Sequence, residues 1–163
     1  MSRAESSAGS HGEHPAGDNG LARRAPGLNQ PLMIALRVLV AVGLIVSAVI
    51  HFDLAPGFQR AAPAGIGGGN LFRIQAVVAV LAALYVLIRG SRPAYAVAAV
   101  VALSALAAVI LYRYVQVPAI GPIPSMYEPV WYAKKTLTAA AEAVAGVLAV
   151  VGYLILHRRH NSR

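Results

Sequence analysis

The chain has 163 residues, 58% of them hydrophobic and only 12% charged, against about 25% charged in an ordinary soluble domain, so a soluble domain is a poor fit. It has no cysteine, which removes disulfides, CxxC redox chemistry, thiolate metal sites and cysteine nucleophiles together. The net charge of +8 reads as a positive-inside bias with interfacial anchors, because no basic helix interleaved with aromatics lies outside the apolar segments; nucleic acid is not an expected partner.

Residues 1–30 are rich in Ser, Gly, His and charge, without apolar periodicity, and are expected to be a disordered tail. Within them "HGEH" sets His11 and His14 three apart. Gly12 and Pro15 oppose the helix that would aim both at one ion, so no metal is expected. The first apolar segment, "PLMIALRVLVAVGLIVSAVIHF" at 31–52, carries Arg37 as its one unambiguous charge. It starts too late and runs too long for the h-region of a cleaved signal peptide. The Gly- and Pro-rich stretch "DLAPGFQRAAPAGIGGG" at 53–69 reads as a loop.

The second segment, "NLFRIQAVVAVLAALYVLI" at 70–88, opens on Asn70, a favourable N-cap. "RGSR" then predicts a tight turn between antiparallel neighbours. The third segment, 93–112, has no charge and starts on Pro93, where a first helical residue tolerates proline. The connection 115–129 holds Pro118, Pro122, Pro124 and Pro129 among apolar residues, which predicts a stiff cap lying on the other long connection. The fourth segment spans 131–156, and a short basic tail is expected at 158–163.

Each segment approaches the ~20 residues that cross a ~30 Å hydrocarbon core. In lipid every backbone polar group must be satisfied within its own segment, so these are helices. The expected fold is all-α: a four-helix up-down transmembrane bundle over 31–157 behind a disordered N-terminal tail. Four spans put both termini on one side. Arg23, Arg24, Arg89, Arg92, Arg158, Arg159 and Arg163 fall there, against Arg60, Arg73, Arg113, Lys134 and Lys135 on the other. That bias of seven to five favours cytoplasmic termini in a plasma membrane.

Charge inside a span is costly and usually faces the bundle interior. Arg37 and His51 are 14 residues apart, within about 40° of one helix face. Lys135, Thr138 and Glu142 share a face of the fourth helix by steps of three and four. Together with Arg73, in the first turn of the second helix, these six form the candidate intramembrane polar site. Lys134 and Lys135 are expected to snorkel to the headgroups near Trp131, His51 to sit at the interface, and Arg73 to meet headgroups or the outer loop. Glu142 lies too deep to snorkel. Aligning Phe52 with Trp131 puts Arg37 roughly 6 Å from its level, and aligning the other ends roughly 13 Å, so a Glu142–Arg37 ion pair is expected if the first register holds. The other state is a protonated Glu142 bonded to Thr138 or to a backbone carbonyl. Small-xxx-small pairs at Gly43 and Ser47, Ala79 and Ala83, Ala98 and Ala102, and Ala141 and Ala145 suit close helix contact.

Haem is not expected as a cofactor, since a bundle cytochrome pairs histidines and only His51 lies in a span. HExxH, GxGxxG, P-loop and GxSxG patterns are missing, which leans against an enzyme. No cofactor is expected. Two function classes stand. One is an accessory or interaction subunit of a plasma-membrane complex, with no chemistry of its own, contacting the lipid bilayer and either a membrane-protein partner or a second copy. The other is a small proton- or ion-coupled transport protein using Glu142, Arg37 and His51.

The span ending "IHFDLAP", the Gly-rich connection, "GGNLFRIQAVVAVLAALY" and the last span opening "YAKKTLTAAAE" together resemble small four-helix integral membrane proteins of actinobacteria, over 31–156. The excess of arginine over lysine suits a high-GC source. The chain is also distantly similar in shape to DoxX-like four-span proteins, with which it shares no diagnostic motif. The resemblance implies a plasma-membrane location and carries over no catalytic residue.

Overall fold

The computed structural model describes residues 29–161; the tail expected at 1–30, with His11 and His14, lies almost wholly outside them. Four helices follow in order: α1 (Asn29–Ala61), α2 (Gly68–Arg89), α3 (Arg92–Tyr114) and α4 (Ala133–Asn161). Each is long and apolar enough to cross a membrane, and the chain is a multi-pass membrane protein. α1 packs on α2 and α4, and α3 packs on α4 and less extensively on α2, while α1 and α3 lie diagonally. This is the order of an up-down bundle. Among the described residues there is no strand, only an isolated bridge between Ile120 and Ile123.

Side-chain size is distributed as lipid allows. The interior is built largely from alanine: Ala76, Ala79, Ala83, Ala94, Ala98, Ala102, Ala145 and Ala149 are all buried. Leu39, Val49, Leu81, Ile88, Val100 and Val147 point outward and are exposed. In water that arrangement would waste the hydrophobic effect, whereas in lipid association comes from close backbone approach between small residues.

Two boundaries differ from the sequence reading. α1 does not stop at Phe52. It continues through Pro56 to Ala61, so most of the expected 53–69 loop is helix. Proline removes the hydrogen bond to the carbonyl four residues back, here that of the exposed Phe52, at the bundle end where water or headgroups can replace it. Packing supports the extension. Ala55 is fully buried, Phe58 stacks on Phe72 with ring centroids 4.1 Å apart, and the start of α2 sits on this turn. A side chain at Gly69 would collide with the Ala55 carbonyl. Asn70 is also not the N-cap. Gly67 holds that position, and Asn70, one turn inside, donates to the Ile66 carbonyl at 2.9 Å. At the other end α4 runs on through Arg158 and Arg159, where a tail was expected.

The tight turn is present, with Gly90 left-handed at φ 50° as the C-cap of α2. The two other connections, 62–67 and 115–132, meet at the opposite end of the bundle, called here the loop end. The Ile66 amide donates to the Pro122 carbonyl at 2.8 Å. The Glu128 amide donates to the Tyr112 carbonyl at 3.0 Å, holding the second connection down on α3. Because Arg60 and Arg113 lie in the last turns of α1 and α3, trypsin added from the loop side is expected to cut more slowly at each than at an arginine in an open loop. Rapid cleavage at both positions would show that these ends are unwound.

Candidate functional site

The antiparallel contact between α1 and α4 sets the site. Gly43 faces Ala145 and Ala141 so closely that a Cβ there would stand 2.9 Å from the Ala145 Cβ. One turn further along α1, Ser47 faces Thr138 and Glu142. The Ser47 hydroxyl donates to Glu142 Oε1 at 2.7 Å, and the Thr138 hydroxyl reaches the same oxygen at 3.3 Å. Glu142 is 1% exposed, and its Oε2 is buried without a hydrogen-bond partner.

His51 completes the cluster. Its Nδ1 lies 2.9 Å from the Ser47 carbonyl, 3.3 Å from the Ser47 hydroxyl and 3.9 Å from Glu142 Oε1. A carbonyl oxygen only accepts, so Nδ1 carries the proton in this arrangement and Nε2 is left as the acceptor of the neutral ring. His51 is buried rather than interfacial, because α1 continues ten residues beyond it.

The chain matches no protein-family model, no curated protein and no solved structure.

Above the cluster, toward the loop end, lies a cavity of about 190 Å³ lined by all four helices. α1 contributes His51, Leu54 and Phe58, and α2 contributes Leu71, Phe72 and Gln75. α3 gives Ser104, Ala105, Ala108, Val109 and Tyr112, and α4 gives Lys135 and Thr138. Met126, Glu128 and Tyr132 close it from the second connection. The walls are mostly apolar, and every element adds polar side chains: His51, Gln75, Ser104, Tyr112, Glu128, Tyr132, Lys135 and Thr138. Burial first, and then the Glu128 carboxylate, hold the Tyr132 phenol above its ordinary pKa, so it stays a neutral hydroxyl.

The six candidate residues separate into three places. His51, Thr138, Glu142 and Lys135 come together, the first three as the buried cluster and Lys135 beside them on the cavity wall. Lys135 does not snorkel. It is 6% exposed, and its ammonium donates to the Glu128 backbone carbonyl. Its neighbour Lys134 does reach outward, where it pairs with Asp53. Arg73 stands apart on α2, bonded to the Asn70 side chain at 2.8 Å.

Arg37 is at the far end of the bundle, and the expected Arg37–Glu142 pair is not formed. Glu142 is level with Ser47, ten residues along α1 from Arg37, a distance of about 15 Å. The register follows the termini end, not the alignment of Phe52 with Trp131, because α1 overshoots at the loop end. The Arg37 guanidinium lies beside the Tyr95 hydroxyl and fills the space where a side chain on Gly90 would go.

Reading the sequence missed Ser47 as a polar partner, although it lies four residues before His51 and so on the same face. It also missed Tyr95, fully buried with its hydroxyl 3.3 Å from the Met33 carbonyl. Gln75 and Glu128 carried no spacing signal, since they meet the cavity through tertiary packing.

Proposed function

We propose that this chain is a small accessory membrane protein that holds a small, mostly apolar molecule in its loop-end cavity and performs no covalent chemistry on it. The observation that carries this reading is the convergence of four helices and a connection on one cavity with apolar walls and a few polar groups, the usual form of a small-molecule site. The site would lie on the outer side of the plasma membrane, with both termini cytoplasmic, as the arginine bias suggests. Topology reporters fused at Ser91 and Arg159 are then expected to report cytoplasm and one at Gly121 the outside; the reverse pattern would turn the cavity inward.

Binding itself is testable because Trp131 is the single tryptophan and sits beside Lys135. In lipid nanodiscs, benzyl alcohol is expected to change Trp131 emission saturably. Ala105→Phe, which fills the cavity from α3, is expected to remove the saturable part while helical content is kept. An equal, unsaturable change in both proteins would mean bulk partitioning and end this reading.

Proton- or ion-coupled transport is the second reading. The buried Glu142 carboxyl, with one oxygen unpartnered, favours it. Against it, the bundle beyond Glu142 is closed by Leu44, Val40, Val86 and Tyr95, all fully buried or nearly so, and Arg37 is too far away to share a path. This reading requires pH-driven flux in vesicles that Glu142→Gln abolishes.

A further inference from the structure

The polar groups on the cavity wall are not equally free. The Thr138 hydroxyl proton is taken up inside the cluster, where Glu142 Oε1 and the Ser47 hydroxyl both lie within reach. Lys135 has three protons and places one on the Glu128 carbonyl, so two remain. His51 Nδ1 is occupied by the Ser47 carbonyl, and Nε2, across the ring, makes no hydrogen bond among the described residues. The α1–α4 register brings these two residues level, Lys135 reaching toward the Glu128 carbonyl and His51 back toward Ser47. Gly43 meets Ala141 and Ala145, and Ser47 meets Thr138 and Glu142. One more turn along both antiparallel helices sets His51 opposite Lys135, both on the same cavity.

A cation with spare protons and a nitrogen lone pair on one cavity ask for a head group that accepts and donates at once. An alcohol donates to the nitrogen but gives the ammonium only a neutral lone pair. An amine adds a second positive charge next to Lys135. A carboxylic acid meets both demands from one carbon, with its O–H toward the imidazole and its second oxygen toward the ammonium. The other titratable groups facing the cavity are Tyr112 from α3 and Glu128 and Tyr132 from the connection, while α2 presents Gln75. Size and shape set the rest of the ligand. About 190 Å³ slightly exceeds the ~150 Å³ engineered cavity that holds benzene, and Phe58 and Phe72, stacked on each other, give its wall aromatic surface.

We infer that the cavity is a site for a small lipophilic weak acid, a single ring bearing one carboxyl group, whose carboxyl is held between Lys135 Nζ and His51 Nε2 and whose ring lies against Phe58 and Phe72. The inference rests on the reading of this cavity as a ligand site. The bound anion brings one proton with it from water, and that proton sits between the ligand oxygen and Nε2. The protein gains no net charge from the bound pair.

Three probes of one size test it on the full chain in zwitterionic nanodiscs: benzoate, benzyl alcohol and benzylamine, read by Trp131 emission and calorimetry. Benzoate is expected to bind roughly tenfold or more tighter than benzyl alcohol, since its extra bond is to a charged group. Benzylamine is expected to bind weakest. Lys135→Met is expected to bring benzoate down to the level of benzyl alcohol, while Lys135→Arg keeps the preference. Proton uptake on benzoate binding, measured in buffers of different ionisation enthalpy, is expected in the wild type and lost in His51→Phe. If benzyl alcohol binds as tightly as benzoate, and Lys135→Met alters neither, the acid assignment is wrong and the cavity remains a ligand site. If no probe binds saturably, the cavity reading fails and this inference fails with it.

Discussion

Gly43→Leu is expected to be the most damaging single substitution in the bundle, costing about 3 kcal/mol or more in unfolding measured in mixed detergent micelles. At this point α1 and α4 are in close contact. Even a methyl group would stand 3.0 Å from the Ala141 carbonyl and 2.9 Å from the Ala145 Cβ, and leucine adds three more carbons. Neither neighbour can move aside, because one is backbone and the other is a side chain with no rotamer. The helices must separate or rotate, which also pulls Ser47 away from Glu142 one turn later. Gly57→Ala on the same helix is the control. Nothing lies within 4 Å of its added Cβ. Removing a helical glycine there is expected to be neutral or to stabilise by up to about 1 kcal/mol. Equal effects at the two positions would mean that glycine matters here for helix propensity and not for the α1–α4 contact.

The helices themselves were legible because their signal is local. Nineteen or more apolar residues in lipid have one backbone solution, and the α2 and α3 boundaries fell within two residues of the expected ones. The end of α1 was not legible. Pro56 and the nearby glycines are breakers by propensity, and only the tertiary contacts of Ala55 and Phe58 keep the chain helical there. That single misplaced end propagated. It set the wrong loop-end alignment, which suggested an ion pair between Arg37 and Glu142 and made His51 interfacial. Glu142 and two of the three residues around its carboxyl, Thr138 and His51, were visible as polar interruptions of apolar helices. Their partner Ser47 was hidden by its small size, which made it look like a packing residue. The cavity was illegible for a different reason: its apolar walls come from all four helices, and no one segment carries its shape.

Two double-substitution cycles separate the observed cluster from the ion pair that the sequence suggested. Ser47→Ala removes the shorter of the two hydroxyl bonds to Glu142 Oε1 and leaves a buried carboxyl with Thr138 alone, at an expected cost of about 1–3 kcal/mol. Glu142→Leu removes the carboxyl itself. An apolar side chain of similar volume is often neutral or stabilising in place of a buried charge or polar group, and the freed Ser47 and Thr138 hydroxyls can turn back to their own helix carbonyls. Once Glu142 is gone, losing Ser47 should cost little. The Ser47→Ala, Glu142→Leu pair is therefore expected to be less destabilised than the sum of its parts, with a coupling of about 1–2 kcal/mol. Arg37→Leu with Glu142→Leu is expected to add within about 0.5 kcal/mol, because the guanidinium stands beside Tyr95, about 15 Å along the bundle. Strong coupling in the Arg37 cycle, or additivity in the Ser47 cycle, would mean that α1 and α4 meet in another register, in which His51 and Lys135 no longer stand level.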